Sequence, residues 1–412
     1  MHKISHNVLF GLCFFWAISC SGSHDNSIAS QTASRASATE NPSTGKELIL
    51  GVDRTEAYMK HLKGKRVGVV ANQTSIKGNK HIVDFLLAEG VAVVTVFAPE
   101  HGFRGEAGPG DKVVSGKDPK TGLPVISLYG TKRRPSKEDL SGLDVVLFDI
   151  QDVGVRFYTY ISTLHYMMEE CGLYGIPVVV LDRPNPNGFY VDGPVLESEF
   201  SSFVGVAPIP IVHGLTVGEY ASMALGEGWL KDGRRCVLHV VPMENYTHST
   251  KYVIPVAPSP NLQNMDAILL YPSLCLFEGA AVSVGRGTPY PFTWMGFPGY
   301  KGGTSELTPN EIAGVIKNPP YEGKVCSGRD MSVEVASVLR DKRLKIEWVV
   351  EMYQAFPDKK SFFNPFFEKL AGTDKLRKQI ESGISADSIR DSWQPALTHY
   401  KKAREKYLIY KD

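Results

Sequence analysis

Three short apolar runs, residues 91–98, 145–148 and 178–181, each break off into a burst of polar residues. The first leads into Glu100-His101-Gly102-Phe103-Arg104-Gly105-Glu106, the second into Asp149-Ile150-Gln151-Asp152, and the third into Asp182-Arg183-Pro184-Asn185. Short apolar runs bounded by turn residues read as buried strands, and in an open α/β sheet the carboxyl ends of such strands converge on one crevice. Residues scattered through the sequence are therefore expected to meet at one sheet edge, and that edge is where chemistry is expected.

The rest of the pattern supports a parallel sheet. Strands at residues 65–71, 91–98, 124–129, 144–149 and 176–182 alternate with helical stretches at 81–89, 136–143 and 157–171, the second opened by a Ser136 cap. Alternation of this kind implies right-handed crossovers and a Rossmann-like layout. The first strand runs into Asn72-Gln73-Thr74-Ser75. It lacks the closely spaced glycines that let a backbone cradle a pyrophosphate, and no Walker lysine motif occurs, so a bound dinucleotide is not expected. Gly102, Gly105, Gly108 and Gly110 fall in a long loop and read as a shaped active-site loop.

The second half is less regular, with a helix at 216–230, strands at 235–242 and 266–271, and a stretch from 271 to 300 rich in glycine, proline and aromatics. Charged amphipathic segments at 366–381 and 393–410 read as surface helices with no chemistry assigned. A chain of 412 residues exceeds what one core usually organises. The expected architecture is α/β, a Rossmann-like parallel-sheet catalytic domain over residues 46–233 followed by a smaller α+β auxiliary domain over 234–412 that contributes to the cleft.

The amino terminus reads as a targeting segment. His2-Lys3 precede an apolar stretch at residues 8–18 that is shorter than a membrane-spanning helix. Residues 1–19 are expected to be a signal peptide, and Ala17-Ile18-Ser19-Cys20 at its boundary resembles a bacterial lipobox with Cys20 as the lipidated residue. The alternative is an ordinary cleavable signal in which Cys20 is incidental. Residues 20–45, rich in serine, threonine, alanine and asparagine, read as a flexible tether. The expected location is periplasmic or outer-membrane, with the lipid as the link to the membrane.

A net charge of +1 and no dense Lys/Arg tract exclude nucleic acid as an expected partner. Cys171, Cys236, Cys275 and Cys326 lack CxxC or Cys/His ligand spacing, so buried thiols are expected, a disulfide stays open, and neither metal nor cofactor is expected.

Glu100 and Glu278 are the carboxylates singled out. A carboxyl group at the rim of an apolar strand suits a general acid, while the bland reading pairs Glu100 with Arg104 and Glu278 with Arg286. Asp152 shares the Glu100 edge. Phe157, Tyr158, Tyr160, Tyr290, Phe292, Trp294 and Phe297 crowd the same segments and offer flat faces to a sugar ring, although most such aromatics are core. No Gly-x-Ser-x-Gly elbow supports an esterase.

Residues 99–105, Asp149 through Tyr160, Asp182-Arg183-Pro184-Asn185-Pro186, Tyr271-Pro272 through Glu278-Gly279, Ser283 through Thr288 and Gly372-Thr373-Asp374 resemble the signature blocks of the exo-β-N-acetylmuramidase family, long known as a domain of unknown function. The resemblance covers the chain from about residue 45 to its end. It implies a Rossmann-like domain and an auxiliary domain with the active cleft between them, and removal of terminal N-acetylmuramic acid from the non-reducing end of peptidoglycan fragments. It places Glu100 in the family's catalytic position. The second group is Glu278 or Asp152, or the substrate's own acetamido group. His101, Arg104, Arg156, Tyr160, Arg183, Asn185 and Arg286 are the expected substrate contacts, with Arg156 or Arg183 reading the lactyl carboxylate through a planar guanidinium. The rival class is a non-catalytic lipoprotein that binds peptidoglycan or a sugar acid.

Overall fold

Five of the six residues of β1 (Arg66–Ala71) are buried, as befits the middle of a sheet covered on both faces. The structure, a computed structural model, describes residues 46–105 and 115–411. Around β1 it assembles β2 (Ala92–Ala98), β3 (Gly116–Lys117), β4 (Pro124–Ser127), β5 (Val145–Asp149), β6 (Val178–Leu181) and β7 (Leu238–Val241) in the order β7-β6-β5-β1-β2-β4-β3. Every neighbouring pair is parallel except β3 with β4. The chain moves outward from β1 through β2 to β4, then returns to lay β5, β6 and β7 on the other side. β7 extends the sheet past residue 233.

Alternation along the strands divides the apolar residues between two cores, because successive side chains point to opposite faces. Val145, Leu147, Val179 and Leu181 pack with α1 (Thr55–Leu62) and α2 (Ile82–Ala88). Val146, Phe148, Val178 and Val180 pack with α3 (Lys137–Leu140), α4 (Tyr160–Tyr174) and α5 (Val217–Gly226). Ser136 and Thr216 cap α3 and α5 with reciprocal side-chain and backbone bonds.

The second of these cores runs on into the smaller C-terminal part, where β8 (Trp294–Phe297), β9 (Ser305–Leu307) and β10 (Cys326–Asp330) form an antiparallel sheet in the order β8-β10-β9. Around it lie α6 (Met265–Leu274), α7 (Val335–Asp341), α8 (Ile346–Ala355), α9 (Phe366–Ala371), α10 (Lys375–Glu381) and α11 (Ala386–Arg404). The α/β architecture with a smaller second part is as expected from the strand pattern.

Two local expectations are corrected. Residues 266–271, expected as a strand, are helical in α6, whose Asn264 cap accepts a bond from the Ala267 amide at 2.9 Å. A short apolar run has no period that separates a buried strand from a buried helix. Pro272 sits inside this helix and cannot donate to the Ile268 carbonyl; the Asn187 side-chain amide does so instead, at 3.1 Å. The segment 366–381, expected as one amphipathic stretch, is broken into α9 and α10 at Gly372, whose φ of 74° favours glycine. Cys171, Cys236, Cys275 and Cys326 are buried and free. The signal segment, Cys20, the tether, Glu106, Gly108 and Gly110 lie outside the described residues.

Candidate active site

Just past the carboxyl end of β2 the backbone turns sharply, with His101 at φ 71° and Gly102 at φ 81°. This turn presents Glu100 to a cleft of about 510 Å³. Thr159 stands at the amino end of α4, yet its side chain does not cap the helix. Its Oγ1 donates instead to Glu100 Oε2 at 3.0 Å. Tyr129, two residues past β4, lines the same wall, and burial followed by the neighbouring Glu100 pushes its hydroxyl pKa upward.

The facing wall comes from the turn after α6. Glu278 lies in the 3-10 segment Cys275–Gly279 and lines the cleft with Arg286, whose Nη1 is ion-paired to Glu278 Oε1. Cys275 Sγ donates to Glu278 Oε2 at 3.5 Å. Tyr271 lines the same cleft, its hydroxyl pushed well up by burial, then by Cys275, Glu278 and Glu100. A separate hollow of about 320 Å³ lies along Gly287-Thr288 and β9, but its lining includes no titratable side chain. The larger cleft is the one lined by both carboxyl groups, Glu100 and Glu278.

Of the expected site residues, Glu100, His101, Glu278 and Arg286 are brought together there. The others are engaged elsewhere. Arg156 is buried and donates to the Pro194, Ile209 and Leu370 carbonyls at 2.7–2.9 Å. Arg183 is buried in a two-pronged pair with Asp149, Nε to Oδ1 at 2.6 Å and Nη2 to Oδ2 at 2.9 Å. Arg104 makes a similar fork to Asp118 at 2.9 and 2.8 Å, with Asp84 at 3.2 Å. Asn185 packs against Gly154, where a Cβ would meet its Oδ1 at 1.9 Å, and donates to the Leu215 carbonyl at 2.8 Å. The buried Tyr160 hydroxyl donates to the Pro258 carbonyl at 2.7 Å. Long-range partners claimed these polar groups, so sequence adjacency to the cleft blocks does not place them in the cleft.

Asp152 is also removed from the cleft wall. Its Oδ1 accepts the Gly154 amide at 2.7 Å, and its Oδ2 is buried with no hydrogen-bond partner among the described residues. Burial raises its pKa to about 7. A folded pKa above the unfolded value means that the folded state holds a proton the unfolded state has released, so this group makes stability fall as pH rises from about 4 to about 7. We expect Asp152→Asn to flatten that slope, by roughly 1 kcal/mol per pH unit, in denaturant titrations across this window. An unchanged slope would place the proton elsewhere.

Sequence reasoning passed over Tyr129, Arg133, Thr159, Phe203 and Lys369, all of which line the cleft. Tyr129 and Arg133 were accessible in principle, because they follow β4 at the same carboxyl edge as Glu100. Lys369 was not, because the charged amphipathic pattern of residues 366–381 carries no sign of a cleft.

The N-terminal part of the family described as exo-β-N-acetylmuramidase NamZ matches residues 67–266, and its C-terminal part matches residues 269–410. The chain belongs to the exo-β-N-acetylmuramidase family. It is 37% identical to the peptidoglycan β-N-acetylmuramidase NamZ of Bacillus subtilis, over the whole of both chains. It is also similar to two solved DUF1343 family proteins of Bacteroides fragilis. One is 45% identical with a TM-score of 0.83, covering 89% of this chain and 100% of that one. The other is 27% identical with a TM-score of 0.73, covering 88% and 99%. The family boundary between residues 266 and 269 falls at the start of α6, the helix that carries the chain from the Glu100 wall to the Glu278 wall.

Proposed function

We propose that this family member is an exo-acting glycoside hydrolase that releases terminal N-acetylmuramic acid from the non-reducing end of peptidoglycan fragments. One observation carries the catalytic part: two carboxyl groups, Glu100 and Glu278, line one cleft from different parts of the chain. Glycosidic cleavage uses such a pair, one to protonate the leaving oxygen and one to act as base or nucleophile. Glu100 is assigned the acid role. Thr159 orients its carboxyl through one oxygen, and no ion pair engages it among the described residues. Glu278, tied to Arg286, is the second carboxylate, and Phe157, Tyr158, Tyr271 and Phe292 supply apolar faces for the sugar ring.

The test is direct. Purified protein is incubated with a disaccharide bearing N-acetylmuramic acid at its non-reducing end, and free N-acetylmuramic acid is measured. Binding without release would leave a sugar-acid-binding protein and end the hydrolase reading.

We further propose that the protein is exported and tethered through lipid on Cys20, at a periplasmic or outer-membrane face where cell-wall fragments occur. The signal layout of residues 1–20 supports this. Cys20→Ser is expected to move the protein from the membrane fraction to the soluble fraction; a variant that still sediments with membranes would refute the anchor.

A further inference from the structure

With Arg156 and Arg183 engaged by backbone carbonyls and Asp149, the cleft needs another reader for an anionic substrate. Arg286 is ion-paired to Glu278, whereas Arg133 and Lys369 line the cleft with no acidic partner among the described residues. Arg133 is the better prepared of the two. Its guanidinium carbon lies over the Phe203 ring, 4.7 Å from the centroid. Phe203 in turn packs against Tyr129 and Tyr166, with ring centroids 6.5 and 5.8 Å away.

The next residue is pinned as well. Arg134 lies 3.6 Å over Tyr166 and is ion-paired to Glu169 and Glu170. A guanidinium held over an aromatic ring keeps N–H groups to offer, and its planar fork matches a carboxylate. The Phe203 ring that carries Arg133 packs against Tyr129, which lines the cleft beside Glu100. Lys369, by contrast, carries a point charge on a flexible stem, with no aromatic platform among the described residues, and gives charge without planar register.

We propose that Arg133 is the specificity-determining cation that pairs with the lactyl carboxylate of a terminal muramic acid. This assignment rests on the activity proposed above. A charge-assisted pair is lost when either partner loses its charge, so the residue and the substrate group can be tested against each other.

Two substrates are compared: a muramic-acid-terminated disaccharide with a free lactyl carboxylate, and the same compound with that carboxylate converted to an uncharged primary amide. The wild-type protein is expected to prefer the acid by roughly 30-fold in kcat/KM, the range of one hydrogen-bonded charge contact. In Arg133→Ala the preference should shrink to within a few-fold, with the loss carried mainly by KM on the charged substrate. Arg133→Lys should recover part of it, since charge returns without the fork. An Arg133→Ala protein that keeps the full preference would overturn the assignment, as would collapse of the preference in Lys369→Ala alone. Wild-type protein that releases no muramic acid from either substrate would instead overturn the proposed activity, and this assignment with it.

Discussion

Glu100→Gln is expected to lower turnover of a muramyl disaccharide by roughly 10³-fold or more while leaving the unfolding midpoint near that of the wild type. General acid catalysis contributes about 10²–10⁴-fold, and the amide cannot deliver a proton to the departing oxygen. The substitution keeps the shape of the side chain and an oxygen to accept the Thr159 hydroxyl, which now bonds Oε2 at 3.0 Å. It alters a cleft wall rather than a core, so the fold should survive. A second substrate isolates the acid step. An aryl muraminide whose phenolate leaves without protonation should be far less affected, because the missing proton is not needed. Glu278→Gln should depress both substrates alike if Glu278 acts on the anomeric carbon or its water. Equal losses in Glu100→Gln on both substrates would move Glu100 out of the acid role.

Arg183→Met is expected to cost about 3–5 kcal/mol of stability, measured by denaturant unfolding, because it strands the Asp149 carboxylate in the interior. The pair is fully enclosed and two-pronged, and the same guanidinium also donates to the Ile76 carbonyl at 3.0 Å. Adding Asp149→Asn to the variant removes the uncompensated charge and should restore part of the loss. The preference for muramyl over glucosaminyl substrates should not move in the folded fraction, because Arg183 does not line the cleft. A selective loss of that preference would return Arg183 to the recognition role expected from its neighbours in the sequence.

The contrast between Arg183 and Arg133 marks where local reasoning stops. Both follow a strand at the carboxyl edge of one sheet, and both have an arginine's choice of partners. Arg183 folds onto a carboxylate from the adjacent strand β5 and disappears from the surface. Arg133 is carried over Phe203, a residue 70 positions further on, and stays open to the cleft. Asp152 and Glu100 diverge in the same way. Each follows an apolar run within a few residues, but only Glu100 is turned outward, by the left-handed backbone at His101 and Gly102.

The sequence by itself determined the strands of the parallel sheet, the two-sided burial of their alternating residues, the capped helices between them and the edge on which chemistry gathers. These follow from period and turn chemistry, which act over a few residues and are written locally. It also carried the family blocks that hold Glu100 and Glu278. The tertiary structure alone decided that Glu278 reaches Glu100's cleft, that α9 brings Lys369 to its rim, that Asp152 is sealed away, and which cleft arginine has no acidic partner among the described residues. Those outcomes depend on packing between segments as far apart as Arg156 and Leu370, where a buried donor takes whichever acceptor the fold presents.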